Sequence, residues 1–269
     1  MHPRIDQYRH YQQQPQQQQQ QQTPQRILYL TRRPEQRPEP EQERIVVIID
    51  DATLKLFVRR VYLYAVIFIL VTSMTWLLVA WTNFAFDKAV PVPYFVWILL
   101  SFLLLMIMNC VPQTRYIFPI NWVMTISIVI LLILAGACLV QIFPVLILFA
   151  SLVVSVAIVG ILYACGAMCP QKLLPGVLCT ACLSCILIIN MFVFLILIIF
   201  LRNPIIGLVF AISLFCLLTV MMPFHAQYIH GRLEIVPLLD VLHCALSIHI
   251  YFVLTLFAIN YLYFYLTYK

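Results

Sequence analysis

The stretch "VYLYAVIFILVTSMTWLLVAW", residues 61–81, contains no charged side chain over its whole length. A helix rises about 1.5 Å per residue, so a segment of this length covers the roughly 30 Å hydrocarbon core of a bilayer. Lipid offers no partners to backbone N–H and C=O groups, and an uninterrupted apolar segment must satisfy them internally as a helix. The stretch therefore predicts a transmembrane helix.

Further apolar segments of similar length follow, separated by short connections that contain Pro, Gly, Asn or a charged residue. They cover residues 94–111, 121–139, 144–165, 177–201, 204–222 and 238–262. The chain is 64% hydrophobic and 10% charged, whereas soluble domains are about 45–50% apolar and about 25% charged. We expect an all-α polytopic membrane protein with seven transmembrane helices, formed by residues 51–269.

Residues 1–50 have a different composition. The runs "QQQPQQQQQQQTPQ" (12–25) and "RRPEQRPEPEQE" (32–43) are nearly empty of large apolar side chains. Such a segment buries too little surface to offset the entropy cost of ordering, so we expect a disordered Gln/Pro-rich cytoplasmic tail. Asp50 and Asp51 follow it, and either carboxylate is a suitable N-cap for the first helix.

Basic residues predict the orientation of the bundle. If the N-terminus is cytoplasmic, the outer connections carry only Lys88 and Arg202. The inner side carries Arg115, Lys172, Arg232 and a membrane-surface basic cluster of Lys55, Arg59 and Arg60. This asymmetry favours a cytoplasmic N-terminus, with anionic lipid as a sufficient partner for the cluster. No basic patch interleaved with aromatic residues points to nucleic acid.

An ordered series of motifs runs along the chain. It begins with "DDATLKLFVRRVYLYAVIFILVTSMTW" (50–76) and continues with "RYIFPIN" (115–121). The pair Thr180–Ala181, the loop "HAQYIHG" (225–231) and the helix "DVLHCALSIHIYFVLTLF" (240–257) complete it. The series resembles the Bax-inhibitor/lifeguard family of membrane proteins, with Phe68 where that family has a glutamine. The resemblance covers roughly residues 50–265.

The resemblance implies a Bax-inhibitor-like bundle in Golgi or endoplasmic reticulum membranes that suppresses cell death and leaks calcium. It also implies two buried aspartates that gate the leak, and at those two positions this chain has His225 and Tyr251. Calcium takes carboxylate and carbonyl oxygens as ligands. We therefore expect weak or altered calcium leak, with calcium as a transport substrate and no bound cofactor.

The last segment carries a polar stripe. At about 100° per residue, Asp240, His243, Ser247 and Tyr251 share one face, which we expect to line the bundle interior. With His225 they are the ion-pathway candidates. Two alternatives stay open: Asp240 is equally suited to starting the helix, and His243 is also suited to an interhelical hydrogen bond. His249 lies on the opposite face, where we expect a hydrogen bond to a neighbouring helix.

Two other function classes are compatible with the sequence. The first is a non-conducting scaffold that binds apoptosis-regulating or other membrane proteins. The second is a membrane zinc hydrolase, suggested by the concentration of ligand-type residues between positions 225 and 249: His225, His230, Asp240, His243, Ser247 and His249. With His225 and His230 expected in a loop and no H-E-x-x-H spacing, we expect neither a metal site nor an enzyme.

Overall fold

The structure is a computed structural model that describes residues 26–29, 46–82, 84, 92–111, 113–169, 189, 193, 204–233 and 238–267. Its helices are α1 (Asp51–Thr82), α2 (Tyr94–Cys110), α3 (Gln113–Tyr116), α4 (Ile120–Val140), α5 (Val145–Met168), α6 (Pro204–Ile229) and α7 (Val241–Thr267). Two short strands, β1 (Arg26–Tyr29) and β2 (Val46–Ile49), pair antiparallel. The strands lie within the segment expected to be disordered, in its two stretches rich in aliphatic and aromatic residues, which favour strands.

Five of these helices are long and apolar enough to cross a membrane: α1, α4, α5, α6 and α7. The helix α2 is also apolar but has 17 residues. Large apolar side chains on the outer faces of these helices are exposed, as expected for a surface in contact with lipid. The chain is therefore an integral membrane protein. The segment predicted at 177–201 lies outside the described residues except for two positions, so seven spans stay a prediction.

The end of α6 corrects the sequence interpretation. The predicted segment stopped at residue 222 and left His225 in a loop, but α6 continues through Pro223 to Ile229. Gly231 ends it, with a φ of 62°, and Arg232 N–H donates to Gln227 C=O at 3.0 Å. A glycine in this conformation is the usual helix stop. Neighbouring helices make an internal proline tolerable in a membrane. His225 is therefore a helical residue.

The last helix is the centre of the bundle. It packs against α1, α4, α5 and α6. In its most apolar stretch 61% of the residues are buried, against 28–44% in the corresponding stretches of the other long helices. Two of the surrounding helices also contact each other: the indole N–H of Trp76 on α1 donates to the carbonyl of Ile133 on α4 at 2.9 Å. Side chains of α7 are therefore well placed to contact several helices at once.

One end of the bundle, here called the basic end, gathers the start of α1, the ends of α5 and α6, and the start of α7. Gln227 Nε2 donates to the carbonyl of Cys169 at 3.2 Å, and Arg232 NH1 donates to the same oxygen at 2.7 Å. At the other end, Gly207 of α6 packs against the ring of Tyr261 of α7.

Candidate functional site

The two positions at which the resemblance implies aspartates lie side by side. His225 of α6 and Tyr251 of α7 have ring centroids 5.7 Å apart, with the rings nearly perpendicular at 80°. Both side chains are partly buried. An edge-to-face arrangement at this distance is a favourable aromatic contact. The side chains at positions 225 and 251 are therefore in direct contact across the α6–α7 interface.

A third helix contributes to the same contact through Tyr163 of α5. Its hydroxyl is 2.7 Å from Nδ1 of His225, a hydrogen bond whose donor depends on the imidazole tautomer. Tyr163 is buried, with 4% of its side chain exposed. On the other side, the ring of Tyr228 stacks on His225 with centroids 6.2 Å apart. His225 is thus held by phenol rings from α5, α6 and α7.

The sequence interpretation missed Tyr163. The signal is a tyrosine hydroxyl inside an apolar segment, three residues before Gly166. A side chain at position 166 would overlap the backbone of Pro223, so the glycine lets α5 approach α6 closely. That approach places the tyrosine hydroxyl beside His225.

The contacts continue towards the basic end. Tyr62 of α1 packs edge-on against Tyr163, with centroids 6.2 Å apart, and its hydroxyl is 3.1 Å from Nε2 of His230 in the turn after α6. We call the whole set the imidazole–phenol cluster: Tyr62, Tyr163, His225, Tyr228, His230 and Tyr251. It links the basic end to the space between α5, α6 and α7.

The chemistry of the cluster differs from that of a calcium site. It offers imidazole nitrogens and phenol oxygens, whereas Ca²⁺ takes six to eight oxygen ligands, chiefly carboxylates and carbonyls. Over the described residues no group of three or more His, Cys, Asp and Glu side chains is placed to hold a metal ion. The part of the chain that the structure describes therefore gives no support to a zinc hydrolase.

Asp240 lies at the basic end and starts α7. Its carbonyl accepts the N–H of Cys244 at 2.9 Å, which is the backbone role of a helix-start residue. Asp240 as a whole is 6% exposed; its Oδ2 lies 3.8 Å from Arg115 NH1 and 3.5 Å from the hydroxyl of Tyr116. Burial raises the pKa of Asp240 above its ordinary value, while Arg115 and then Tyr116 act to lower it. The ion pair joins α3 to α7. Asp240 starts α7 through its backbone carbonyl, but its Oδ1 has no hydrogen-bond partner and its Oδ2 faces Arg115 and Tyr116, so capping by the carboxylate and a role in an ion pathway both stay predictions.

The other candidates of the polar stripe bond within their own helix. The hydroxyl of Ser247 donates to the carbonyl of His243 at 2.9 Å, and both side chains are partly buried. They lie one and two turns before Tyr251. Their place in an ion pathway, and the interhelical bond considered for His243, stay predictions.

His249 makes the interhelical hydrogen bond that its helix face predicted. Its Nε2 is 2.8 Å from the hydroxyl of Thr72 on α1, and both side chains are fully buried. Phe68 of α1 packs edge-on against the same imidazole with centroids 6.2 Å apart. His249 therefore joins α7 to α1, away from the imidazole–phenol cluster.

Comparison of the chain with protein-family models, with curated proteins and with solved structures finds no match.

Proposed function

We propose that this protein is a lifeguard-type regulator of cell survival and calcium handling in Golgi or endoplasmic reticulum membranes. The support is the ordered series of motifs between residues 50 and 265, on a chain with long apolar helices. In this proposal calcium leak by the family's route is weak or altered. The protein then acts chiefly through a residual ion flux or through contacts with other membrane proteins.

One observation carries the proposal of weak leak. His225 and Tyr251 touch at 5.7 Å between ring centroids, and Tyr163 is hydrogen-bonded to the same imidazole. Two neighbouring carboxylates would attract a divalent cation and release it on protonation. An imidazole and a phenol bring no negative charge, and protonation of the imidazole repels the cation. Acidification is therefore expected to oppose calcium flux at either pair: it removes negative charge from carboxylates, and it adds positive charge to the imidazole.

Calcium entry into vesicles that contain the purified protein tests the proposal. We expect the wild-type protein to give a flux that is weak but above that of protein-free vesicles. The double variant His225→Asp, Tyr251→Asp is expected to show flux that falls on acidification. The matched control is His225→Asn, Tyr251→Phe, which keeps both sites neutral and is expected to behave as the wild type. A correctly folded double-aspartate variant without flux, or a wild type that equals it, contradicts the proposal.

The alternative function is a non-conducting scaffold for other membrane proteins, and the neutral cluster at the family's carboxylate positions favours it too. The same vesicle experiment separates the two functions. Residual wild-type flux above the protein-free level supports a leak. Complete absence of wild-type flux, combined with partners that co-purify in stoichiometric amounts, supports the scaffold.

A further inference from the structure

A cleft opens at the basic end between the first turns of α1 and the turn that follows α6. Its volume is about 480 Å³, and its floor is formed by Leu54 and Val58 of α1. Its polar walls come from two distant parts of the sequence: Asp51, Lys55, Arg59, His230 and Arg232. Ligand pockets in proteins are typically about 300–1,000 Å³ with a few converging polar groups. The dimensions therefore suit a small polar ligand.

The fold builds this cleft from local rules. Lys55 and Arg59 are four residues apart, so they lie on the same face of α1. On the opposite wall, Gly231 ends α6 with its left-handed φ and turns the chain so that His230 and Arg232 reach the same cleft. The helix stop at Gly231 brings the cations of the two walls together. The basic cluster of Lys55, Arg59 and Arg60 lies on α1 alone, so it gave no indication of the second wall.

Two groups of the second wall are held in place before any ligand binds. The hydroxyl of Tyr62 is 3.1 Å from Nε2 of His230. One terminal nitrogen of Arg232 donates to the carbonyl of Cys169 at 2.7 Å, and a guanidinium has further N–H donors on its other nitrogens. A guanidinium fixed at one nitrogen loses less conformational entropy when it binds an oxyanion.

The charge of the cleft favours a doubly negative ligand. Among the described residues, its walls carry the cations of Lys55, Arg59 and Arg232 and the carboxylate of Asp51. Arginine forks match the oxygens of phosphate, and lysine adds a point charge. The cleft also lies where α1 passes into its uncharged stretch at residue 61, the level at which lipid headgroups meet a transmembrane helix.

We propose that this basic cleft binds the phosphomonoester of an anionic lipid headgroup. A phosphomonoester carries close to two negative charges near neutral pH, whereas the phosphodiester of a common anionic lipid carries one. Cations from two walls therefore bind the phosphomonoester more tightly than the phosphodiester. Diffuse attraction to an anionic surface does not distinguish these two groups. Phosphate binding in the cleft requires no calcium flux at His225 and Tyr251, although His230 belongs to both the cleft and the imidazole–phenol cluster.

Binding of a short-chain phosphatidylinositol monophosphate to the full-length purified protein in detergent tests the proposal. Arg59 lines the cleft, and its neighbour Arg60 is exposed on another face of α1 and does not line it. Arg59→Gln and Arg60→Gln thus make the same change of charge at adjacent positions. We expect Arg59→Gln to weaken binding roughly tenfold, the usual loss of one charge-assisted hydrogen bond. Arg60→Gln is expected to leave the affinity within about twofold, as for a screened surface charge.

Two further ligands identify the chemistry and its source. Short-chain phosphatidylserine, a phosphodiester, is expected to bind roughly tenfold more weakly than the monophosphate lipid, and equal binding would overturn the assignment. Free inositol phosphate is expected to bind more weakly than the lipid. Equal binding of the free form would overturn the lipid source and assign the site to a soluble phosphate.

Two results overturn the site itself: equal losses in Arg59→Gln and Arg60→Gln, or no binding by a wild-type protein that is folded. Arg232→Gln is a second variant of the cleft, expected to weaken binding like Arg59→Gln. Because Arg232 also bonds to Cys169, its thermal midpoint must be measured in parallel. Arg59→Gln keeps the test decisive if Arg232→Gln fails to fold.

Discussion

Replacing Gly166 by alanine is expected to push α5 away from α6 at the position that supports the imidazole–phenol cluster. A Cβ atom at position 166 would lie less than 3.0 Å from the carbonyl oxygen, Cα and carbonyl carbon of Pro223. These are backbone atoms, so they cannot rotate aside as a side chain does. The helices would have to separate by about 1 Å to restore an ordinary contact of at least 3.4 Å.

Gly160 provides the matched control on the same helix. A Cβ atom there would meet nothing within 4 Å, so Gly160→Ala keeps the gain in helix propensity without a clash. That gain is about 1 kcal/mol for glycine to alanine in a helix interior. Overpacking a tight contact costs about 1–3 kcal/mol. Because both variants share the propensity gain, we expect Gly166→Ala to be about 1–3 kcal/mol less stable than Gly160→Ala.

Thermal unfolding of both variants in the same detergent measures this difference. A chain of this size shifts its midpoint by roughly 2–4 °C per kcal/mol, so the two midpoints should differ by roughly 2–12 °C. Tyr163 lies one turn before Gly166, so the same separation should weaken its hydrogen bond to His225. Equal midpoints for the two alanine variants would refute the close approach of α5 and α6.

Two further variants test individual contacts. Thr72→Val removes the partner of a fully buried imidazole and is expected to cost about 1 kcal/mol. Thr75→Val, at an exposed hydroxyl bonded to its own helix, should change the thermal midpoint little, and equal effects would contradict the Thr72–His249 bond. Arg115→Gln removes the group that lowers the pKa of Asp240, so that pKa, already raised by burial, rises further. A carboxyl group with a higher pKa in the folded state binds more protons there, so stability falls as pH rises through that window. The loss of thermal midpoint in Arg115→Gln should therefore be larger at about pH 7.5 than at about pH 5. Asp240→Asn should remove this pH dependence, and an unchanged dependence would contradict the ion pair.

The long helices were predictable from the sequence because an apolar segment of sufficient length must be helical in lipid. Residues 94–111 and 121–139 become α2 and α4 with bounds shifted by one residue. The physical reason is local: a segment in lipid must close its own backbone hydrogen bonds, whatever its neighbours are. No knowledge of packing was needed.

The end of α6 was not predicted because the predicted segment covered only the apolar run that ends at residue 222. The more polar residues after Pro223 are also helical, and the helix stop is Gly231. In water an internal proline costs about 3 kcal/mol or more, but inside a membrane bundle the neighbouring helices make it tolerable. Correcting this one boundary moves His225 from a loop into a helix.

The site was predicted in part. The resemblance implied that positions 225 and 251 form a pair, and the two side chains are in contact in the structure. Tyr163 and Tyr62 join them through contacts between helices that are distant in sequence. The second wall of the basic cleft depends in the same way on where α6 ends. Contacts of this kind are set by packing, which periodicity alone does not reveal.

The measurement closest to the central claim asks what the side chain at position 251 touches in a bilayer. Benzoylphenylalanine placed at 251 and photoactivated should cross-link to peptides of α6 that contain His225, or to α5 around Tyr163. The same probe at Leu70, which is 56% exposed, should cross-link to lipid. Lipid adducts alone at position 251 would contradict the cluster between α5, α6 and α7.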